Sequence, residues 1–424
     1  MKTRTGAIGV SLLLAFAGIS RGAEWFVATN GNDLADGTNW PTAKRSIQAA
    51  IDAAVSNDTV WVSNGTYATG GRIAYGALTN RVVIDKPITV RSLNGPASTG
   101  IKGAWDPNGY LGIGDGAVRC AYIASNAVLS GFTLTNGATR SSGDPVRERS
   151  GGGAWCEPSG VLTNCALTCN FAATNGGGSF QGTLYNCTLS DNDSWNLGGG
   201  SSSGTLFNCT LVRNTALQGG ASCNDILYDC NLISNSVKWR GGGAYRSTLS
   251  NCTLTGNSAG TSGGGAAESI LENCLLTGNA TSTDGGGAYA SMLNDCTLIG
   301  NAASNNGGGT YSCELDQCTL NENSALDCGG GGASGTMRSC SLTGNSAFLG
   351  GGGYYGIFGG ALSNCTVVGN TASYGGGVLE GALNNCIVYY NLAPIDPNYQ
   401  KSTIVYSCTT PLPTGTGNIT NEPR

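Results

Sequence analysis

The pattern that recurs along this chain is, in one of its copies, Leu249-Ser250-Asn251-Cys252-Thr253-Leu254-Thr255-Gly256-Asn257. Its fixed positions are a Cys, with Leu, Met or Val three before it and, in all copies but the last, Leu or Val two after it and Asn five after it. Successive copies of the Cys are 21 to 25 residues apart, most often 22, and form one column: Cys165, Cys187, Cys209, Cys230, Cys252, Cys274, Cys296, Cys318, Cys340, Cys365, Cys386 and Cys408. This register predicts one elongated repeat array instead of two or three globular domains.

The spacing within one copy predicts short strands joined by tight turns. Cys252 and Leu254 are two residues apart, so they point to the same side of a strand, whereas Leu249 requires a bend before Cys252. The copy continues into a glycine run, Gly263-Gly264-Gly265, with few helix-forming residues. The fold class predicted is all-β, a single-stranded right-handed parallel β-helix with coils about 4.8 Å apart. A leucine-rich repeat is the competing interpretation, but its return segment normally carries more apolar residues.

Stacking of identical coils assigns a role to each column. We expect the Cys column to act as small buried hydrophobic groups, and the Asn column to bond the turn backbone and the Asn of the next coil. A straight row of Cys cannot surround a metal ion tetrahedrally, and its Cβ atoms are too far apart for disulfides. The sequence therefore predicts mostly buried free thiols. Any disulfide would come from the six cysteines outside the column: Cys120, Cys156, Cys169, Cys223, Cys313 and Cys328.

Composition and the N-terminus bear on compartment and partners. The chain has no His, which excludes an imidazole base or a His-ligated metal. Its formal net charge is −5 and only 11% of its residues are charged, so we expect no nucleic-acid partner. Residues 1–23 have a basic start and a short apolar run, typical of a signal peptide. We expect export, to the medium, the periplasm or the cell surface, with no membrane span after signal removal.

Four further segments complete the predicted organisation. Residues 24–137 form an N-terminal cap and the first irregular coils, and residues 138–150 an inserted loop. Residues 151–410 are the regular repeats. Residues 411–424 are a C-terminal tail that begins like a closing motif and then stops, as a truncated cap would. Within the first segment an amphipathic helix is predicted with one apolar face: Ile47, Ala50, Ile51, Ala54 and Val55.

At this point the chain resembles a known group. The stretches 26–33, 46–51 and 58–67 look like the opening of exported right-handed β-helix proteins of the pectin-lyase-like fold. The repeats, such as Leu254-Thr255-Gly256-Asn257 with Gly263-Gly264-Gly265-Ala266, are similar to those of polymorphic outer-membrane proteins. The resemblance implies the fold; it does not imply one activity, because this fold carries lyases, hydrolases and adhesins.

The resemblance also defines what an active site would contain. Lyases of this fold use an Arg or Lys base with Ca²⁺ held by carboxylates, and the related hydrolases use Asp with His, which this chain lacks. No basic residue within the array shows an acidic metal cluster in its own column. The inserted loop carries the candidate catalytic residues Arg147, Arg149 and Asp144, although a flexible, self-neutralising loop is the plainer interpretation.

An aromatic column is the candidate ligand-binding feature. Its members stand at equivalent positions of several repeats, and strand alternation predicts that their rings face outward: Trp155, Phe180, Tyr245, Tyr289, Tyr311 and Tyr355. Exposed rings in a row can stack on sugars, and they can equally stack on one another without a ligand.

The sequence favours an exported non-catalytic β-helix scaffold that is surface-associated, glycan-binding or adhesive. Its expected partner is a polysaccharide or a cell-surface component, with no metal or other cofactor. The alternative is a polysaccharide-degrading enzyme, an Arg-based lyase, for which Ca²⁺ would be required. The sequence does not determine the oligomeric state.

Overall fold

The computed structural model describes residues 22–423. The predicted signal peptide therefore lies almost wholly outside the described residues. The helical elements described are the α-helix Ile47–Ala53 and two 3₁₀ turns, Trp40–Thr42 and Tyr110–Gly112. None of the described helices combines the length and the hydropathy that a membrane crossing requires.

The described strands form three sheets that run along the molecule. Sheet A has 29 strands: Glu24–Val27, Thr59–Val62, Arg72–Ile73, Thr79–Ile84, Thr89–Ser92, Val118–Ile123, Val128–Ser130, Ala154–Cys156, Val161–Thr163, Ser179–Phe180, Thr183–Tyr185, Ser201–Ser202, Thr205–Phe207, Ser222–Cys223, Ile226–Tyr228, Ala244–Tyr245, Thr248–Ser250, Ala266–Ala267, Ile270–Glu272, Ala288–Tyr289, Met292–Asn294, Thr310–Asp316, Gly332–Arg338, Tyr354–Tyr355, Ala361–Ser363, Val378–Leu379, Ala382–Asn384, Tyr399–Gln400 and Thr403–Val405.

The other two sheets follow sheet A within each coil. Sheet B has 15 strands: Gly65–Tyr67, Thr99–Lys102, Thr133–Thr135, Ala166–Thr168, Thr188–Ser190, Thr210–Val212, Asn231–Ile233, Thr253–Thr255, Leu275–Thr277, Thr297–Ile299, Thr319–Asn321, Ser341–Thr343, Thr366–Val368, Ile387–Tyr389 and Cys408–Thr409. Sheet C has nine strands: Phe171–Ala172, Asp193–Ser194, Thr215–Ala216, Ser236–Val237, Ser258–Ala259, Ala280–Thr281, Ala302–Ala303, Ser324–Ala325 and Ser346–Ala347.

Successive coils pair in parallel and in register. Leu254, for example, lies beside Leu232 of the preceding coil and Leu276 of the following one. The one antiparallel pairing among the named strands joins Arg72–Ile73 to Thr79–Ile84. The result is a parallel β-solenoid of about 12 turns with one short α-helix near its N-terminus, which confirms the predicted all-β class, the parallel β-helix and its 22-residue coil.

Each regular coil turns at left-handed residues. In the coil of Cys252 these are Gly241, Arg246, Asn251 and Gly256, with φ between 50° and 69°. Asn adopts this region more readily than most residues, which explains why Asn so often precedes the column Cys. Glycine is also required by close approach of the coils, because a Cβ added at Gly242 would lie 2.3 Å from a carbonyl oxygen of the next coil.

The cysteine column fills the interior as expected. Each member from Cys165 to Cys386 is buried, and Cys408 is half-buried. Within the column, the Cys252 thiol donates to the Ser250 carbonyl oxygen (3.2 Å) and its sulfur accepts from the Cys230 backbone N–H (3.4 Å). All 18 cysteines are unpaired, including the six outside the column. The prediction of mostly buried free thiols is confirmed.

A continuous ladder of asparagine amides runs beside the cysteine column. Asn257 Nδ2 donates to Asn279 Oδ1 (3.0 Å) and to the Leu232 carbonyl oxygen (2.9 Å). Its Oδ1 accepts from both Nδ2 and the backbone N–H of Asn235 (2.9 Å each). Both N–H donors and both acceptor positions of the amide are therefore used inside the protein. The same contacts repeat from Asn170 to the end of the ladder.

The N-terminal helix packs over the first coils, with one difference from the sequence prediction. Ile47, Ala50 and Ile51 are buried in the core, as expected. Val55, predicted on the same apolar face, is 66% exposed. The helix ends at Ala53, so the 3.6-residue periodicity no longer applies at Val55.

The amide ladder makes a testable contribution to stability. We expect Asn257→Ala to lower the free energy of unfolding by roughly 3 kcal/mol, because it leaves buried partners in both neighbouring coils without hydrogen bonds. Asn384→Ala is the control: Asn384 is exposed on sheet A, and its loss should cost no more than about 0.5 kcal/mol. Urea denaturation followed by circular dichroism measures both. Equal effects would contradict a structural role for the ladder.

Thiol accessibility gives a second prediction. In the folded chain only Cys169 and Cys408 should react quickly with a thiol reagent, because the other cysteines are buried. Burial also disfavours the reactive thiolate, as at Cys313, where it raises the pKa to about 12. After unfolding without reductant all 18 should react. A total below twelve would show that the column forms disulfides.

Candidate functional site

The aromatic column predicted from the sequence exists, but half of it is buried. Strand pairing places Trp155 beside Phe180, and Tyr289 beside Tyr311, in one column on the outside of sheet A. Trp155, Phe180 and Tyr245 are only 2%, 5% and 5% exposed. The expectation of an exposed stripe is therefore wrong for these three side chains.

These three rings are buried because the neighbouring turn covers them. The segment before each glycine run folds back towards this column, so Leu197 packs against the cluster that contains Tyr245. Arg240 lies over the Tyr289 ring at 5.3 Å, and Trp155 Nε1 donates to the Val146 carbonyl oxygen (2.9 Å). The alternation of side chains along the strand correctly predicted that these rings point outward. Whether they are exposed depends on the neighbouring turn. Tyr289, Tyr311 and Tyr355 are half-buried, and ligand binding there stays a prediction.

The inserted loop 138–150 is anchored by an arginine that sequence analysis did not single out. Arg119 is fully buried and donates to the carbonyl oxygens of Arg147, Ser150 (2.8 Å) and Gly151 (2.8 Å). Its third nitrogen bonds Asn80 Oδ1 (2.9 Å). Burial lowers the pKa of Arg119 to about 9.

A buried carboxylate fixes the same loop. Glu148 accepts from the backbone N–H groups of Asp144 (2.9 Å) and Ala77 (2.8 Å), and it forms an ion pair with Arg140 (2.8 Å). These N–H donors, and then Arg140, lower the pKa of Glu148 to about 2. One charge pair, Arg140 with Glu148, is thus neutralised inside the loop, and backbone hydrogen bonds fix the carboxylate.

The candidate catalytic residues lie in this loop, and their contacts reach the residues around it. Asp144 accepts from the backbone N–H of Arg147 (2.8 Å), and the Arg147 guanidinium lies over the Tyr75 ring at 4.5 Å. The carbonyl oxygen of Arg149 accepts from the Thr174 N–H (2.8 Å). The Asp144 carboxylate and the Arg147 backbone thus meet in the N-terminal part of the β-helix. Their catalytic role stays a prediction.

A second aromatic ladder, which sequence analysis missed, lies exposed on sheet A. Tyr185, Phe207 and Tyr228 occupy consecutive coils, with ring centroids 5.0 Å apart and planes within 11° of parallel. Tyr185 and Tyr228 are 41% and 39% exposed. The sequence did contain the signal, since an aromatic residue stands two before the column Cys in three successive repeats.

At the Tyr228 end of the ladder, one ring face is not covered by another aromatic ring. Inside the ladder each ring face is covered by the next ring. Beyond Tyr228 the next coil places only the small side chain of Ser250 in this column, and the coil after that places Glu272. One ring face of Tyr228 therefore borders a space about one coil high, which is close to 5 Å.

A groove of about 610 Å³ continues from this position along the outer face of sheet A. Its polar column is Glu272, Asn294, Asp316 and Arg338, with neighbours in the column paired in successive coils. Apolar side chains line its edge, including Met292. Two carboxylates thus precede Arg338 in its own column, although they do not form the acidic metal cluster that the sequence analysis looked for. All four residues stand two before a column Cys, so the repeat period aligns them.

A metal site in this chain would have to be built from its Asp, Glu and Cys side chains, since it has no His. Across residues 22–423 no group of three or more His, Cys, Asp or Glu side chains is arranged to hold a metal ion. The carboxylates of the sheet A groove do not form such a set. The described residues therefore do not fit the Ca²⁺ site that an Arg-based lyase of the resembled fold would use.

One carboxylate lies inside the helix, beneath the aromatic ladder. Asp225 is 2% exposed, and its Oδ1 accepts from the Gly204 N–H (2.6 Å) and from Ser201 Oγ (3.3 Å). Its Oδ2 has no hydrogen-bond partner among the described residues. Burial raises the pKa of Asp225 to about 7. The equivalent residues of the next two coils are Ser247 and Ser269.

Comparison with known proteins gives structural neighbours of low similarity. No protein-family model matches the chain, and no curated protein matches it in sequence. A rhamnogalacturonan lyase is 11% identical with a TM-score of 0.36, covering 91% of this chain and 87% of its own. A pectate lyase, Pel9A, is 15% identical with a TM-score of 0.32, covering 90% and 79%. The A-module of an Azotobacter vinelandii mannuronan C-5 epimerase is 15% identical with a TM-score of 0.36, covering 84% and 92%.

These similarities carry no inference about the chemistry of this chain, which rests on its own residues. The parallel β-helix expected from the sequence is established by the strand pairing of this chain itself. The resemblance of the repeats to polymorphic outer-membrane-protein repeats stays a prediction.

Asp225 predicts a pH dependence of stability. Because its pKa is raised from 3.8 to about 7 on folding, the folded state favours the protonated acid. This contribution is fully present below about pH 4 and is lost as the pH rises to about 7, at a cost of up to about 4 kcal/mol. Asp225→Ser, which introduces the residue of the following coils, should remove this part of the pH dependence and raise stability at pH 8.

The matched control is Asp229→Ser, which removes an exposed carboxylate four residues away. Unfolding free energies of the three proteins from pH 4 to pH 8 test the assignment. If the wild-type and D225S curves stay parallel over this range, Asp225 is not the group that titrates.

Proposed function

We propose that this chain is an exported, non-catalytic glycan-binding β-helix, with a saccharide chain lying along the outer face of sheet A. The observation that carries the proposal is the exposed ladder Tyr185, Phe207 and Tyr228, which ends in an open ring face beside the polar groove. Apolar and polar recognition groups thus follow one another along one straight line.

The Tyr228 end supplies the apolar contact. A pyranose ring has a face of C–H groups that packs on an aromatic ring. Both end rings of the ladder have a small residue beyond them, Thr163 at Tyr185 and Ser250 at Tyr228, but the groove lies on the Tyr228 side. The exposed edges of the ladder do not offer the same contact. We therefore place the first sugar between Tyr228 and Glu272, above Ser250.

The groove supplies hydrogen bonds to sugar hydroxyl groups. Asn294 can both donate and accept, Glu272 and Asp316 can accept, and Arg338 can donate. Arg338 forms no ion pair within the described residues, so its donors face the groove unpaired. Consecutive side chains are one coil apart, which allows successive sugars of an extended chain to be contacted in turn.

A lyase is the second candidate function, and Arg338 is the observation that favours it. Among the described residues that line the groove it is the one basic side chain, and it adjoins Asp316 in the same column. An Arg-based lyase would place its base here and not at Arg147. Against it stands the lack of a carboxylate set for Ca²⁺ in residues 22–423.

Localisation and partner follow from the same proposal. A glycan-binding protein meets its ligand outside the cytoplasm, in agreement with the export predicted from residues 1–23. We propose a polysaccharide or a cell-surface glycan as the partner, bound without a cofactor.

Affinity measurements test the site. We expect Tyr228→Ala to weaken binding to a retained polysaccharide by about 3- to 10-fold, the value of one aromatic stacking contact. Glu272→Gln should also weaken binding to the polysaccharide, because one of the two accepting oxygens of the carboxylate is replaced by a donating NH₂ group. Phe348→Ala is the control, since Phe348 is 70% exposed beyond sheet C. Retention on immobilised neutral and acidic polysaccharides provides the measurement, and equal affinity of Y228A and wild type would refute this site.

Product analysis separates the two candidate functions. The wild-type chain is incubated with the same polysaccharides, with and without Ca²⁺, and assayed for unsaturated or reducing ends. The binding proposal expects neither product. Turnover that disappears in Arg338→Ala would replace it with the lyase, and turnover that disappears in Arg147→Ala would move the active site to the inserted loop.

A further inference from the structure

The outer face of sheet B is chemically unlike that of sheet A. Its strands have three residues, of which the middle one is buried and the first and third face outward, as in Thr253–Thr255. The first outward column is Thr133, Ala166, Thr188, Thr210, Asn231, Thr253, Leu275, Thr297, Thr319, Ser341, Thr366 and Ile387. The third-residue column is Thr135, Thr168, Ser190, Val212, Ile233, Thr255, Thr277, Ile299, Asn321, Thr343, Val368 and Tyr389.

These two columns, called the threonine face below, contain no charged residue between Thr133 and Tyr389. Tyr389, at one end, is their one aromatic residue. Strand-forming preference explains β-branched side chains but not the absence of charge, since the outer face of sheet A carries Glu272, Asp316 and Arg338 at comparable positions. The threonine face is therefore a surface of hydroxyl and methyl groups.

The face is periodic in two directions. Neighbouring coils repeat at about 4.8 Å, and the two outward residues of one strand are about 6.7 Å apart. The cysteine column borders one edge and the amide ladder the other, as Cys252 and Asn257 do around Thr253–Thr255. This double support holds the register fixed, so the spacing is a property of the backbone and not of flexible side chains.

Most of the hydroxyl groups on this face are available to solvent. Ser190 bonds Thr168 (3.2 Å) and Thr343 bonds Asn321 (3.0 Å) across neighbouring coils. The hydroxyl of Thr319, by contrast, has no hydrogen-bond partner within residues 22–423, and the residue is exposed. Five further threonines of the first column have no side-chain hydrogen bond among the described residues; the first is exposed and the others are half-buried: Thr188, Thr210, Thr253, Thr297 and Thr366.

We infer that the threonine face binds the surface of ice. Ice presents uncharged water hydroxyls that repeat at fixed spacings of a few ångströms in two directions. A rigid face whose hydroxyls bond lattice water and whose methyls fit between them matches such a ligand, whereas charged side chains would hold disordered water.

Two other occupants fit the face less well. A crystalline polysaccharide presents C–H faces that pack on aromatic rings, and the threonine face has none before Tyr389. A second copy of this chain would require a mainly apolar patch, yet the adjacent pair Val212 and Ile233 is separated from Ile299 by Thr255 and Thr277.

The experiment compares matched lysine variants of the full chain. Thr253→Lys and Thr319→Lys each place a charge on the threonine face. Ser258→Lys and Ser324→Lys, on exposed sheet C positions of the same two coils, are the controls. The measurements are inhibition of ice recrystallisation and partition of the protein into a slowly growing ice front. Thermal unfolding of each variant is recorded alongside.

We expect the wild type and both controls to inhibit recrystallisation and enter the ice, and both threonine variants to lose these activities with unchanged unfolding. Thr253→Val keeps the shape and removes one hydroxyl; it should weaken inhibition even if the lysine variants fold poorly. The inference is overturned if the wild type is excluded from ice, if T253K and T319K retain activity while folded, or if the face instead mediates cellulose binding or dimerisation that T253K abolishes.

Discussion

The structure depends on one repeated interaction, the hydrogen bond from the side-chain amide of one buried Asn to that of the next. Because Asn257 uses both its donors and both its acceptor positions inside the helix, a coil cannot shift by one residue without leaving buried polar groups unbonded. This constraint fixes the register of the strands before and after the ladder. The cysteine column and the left-handed corners then follow at constant distances along the chain.

A fixed interior leaves the outward positions free to differ. Sheet A carries an aromatic ladder from Tyr185 to Tyr228 that runs towards the polar groove at Glu272, whereas sheet B carries an uncharged face on which threonine is the most frequent residue. Both surfaces use the same coil spacing for different chemistry. Asp225 is a carboxyl group in the interior with one oxygen left without a hydrogen-bond partner among the described residues, and burial raises its pKa to about 7.

Much of the fold could be predicted because interior residues recur at the repeat period. The cysteine and asparagine columns, the coil and the N-terminal helix all follow from spacing alone. The site was harder to predict. Trp155 and Phe180 do face outward, but neighbouring segments bury them. Arg119 gives no sequence pattern because its partners include backbone carbonyl oxygens of a distant loop. The exposed ladder was detectable, since its three aromatics share one repeat position.

The sequence by itself determined the period, the parallel coil and the identity of the buried columns, because side chains that stack on their own copies must repeat with the chain. Only the tertiary structure decided which outward side chains meet solvent and which polar groups face each other. Exposure at Tyr228 or burial at Tyr245 depends on how the neighbouring turn folds over the strand. The repeat period already places Glu272, Asp316 and Arg338 in one column, but the shape of the groove that they line depends on how the coils stack.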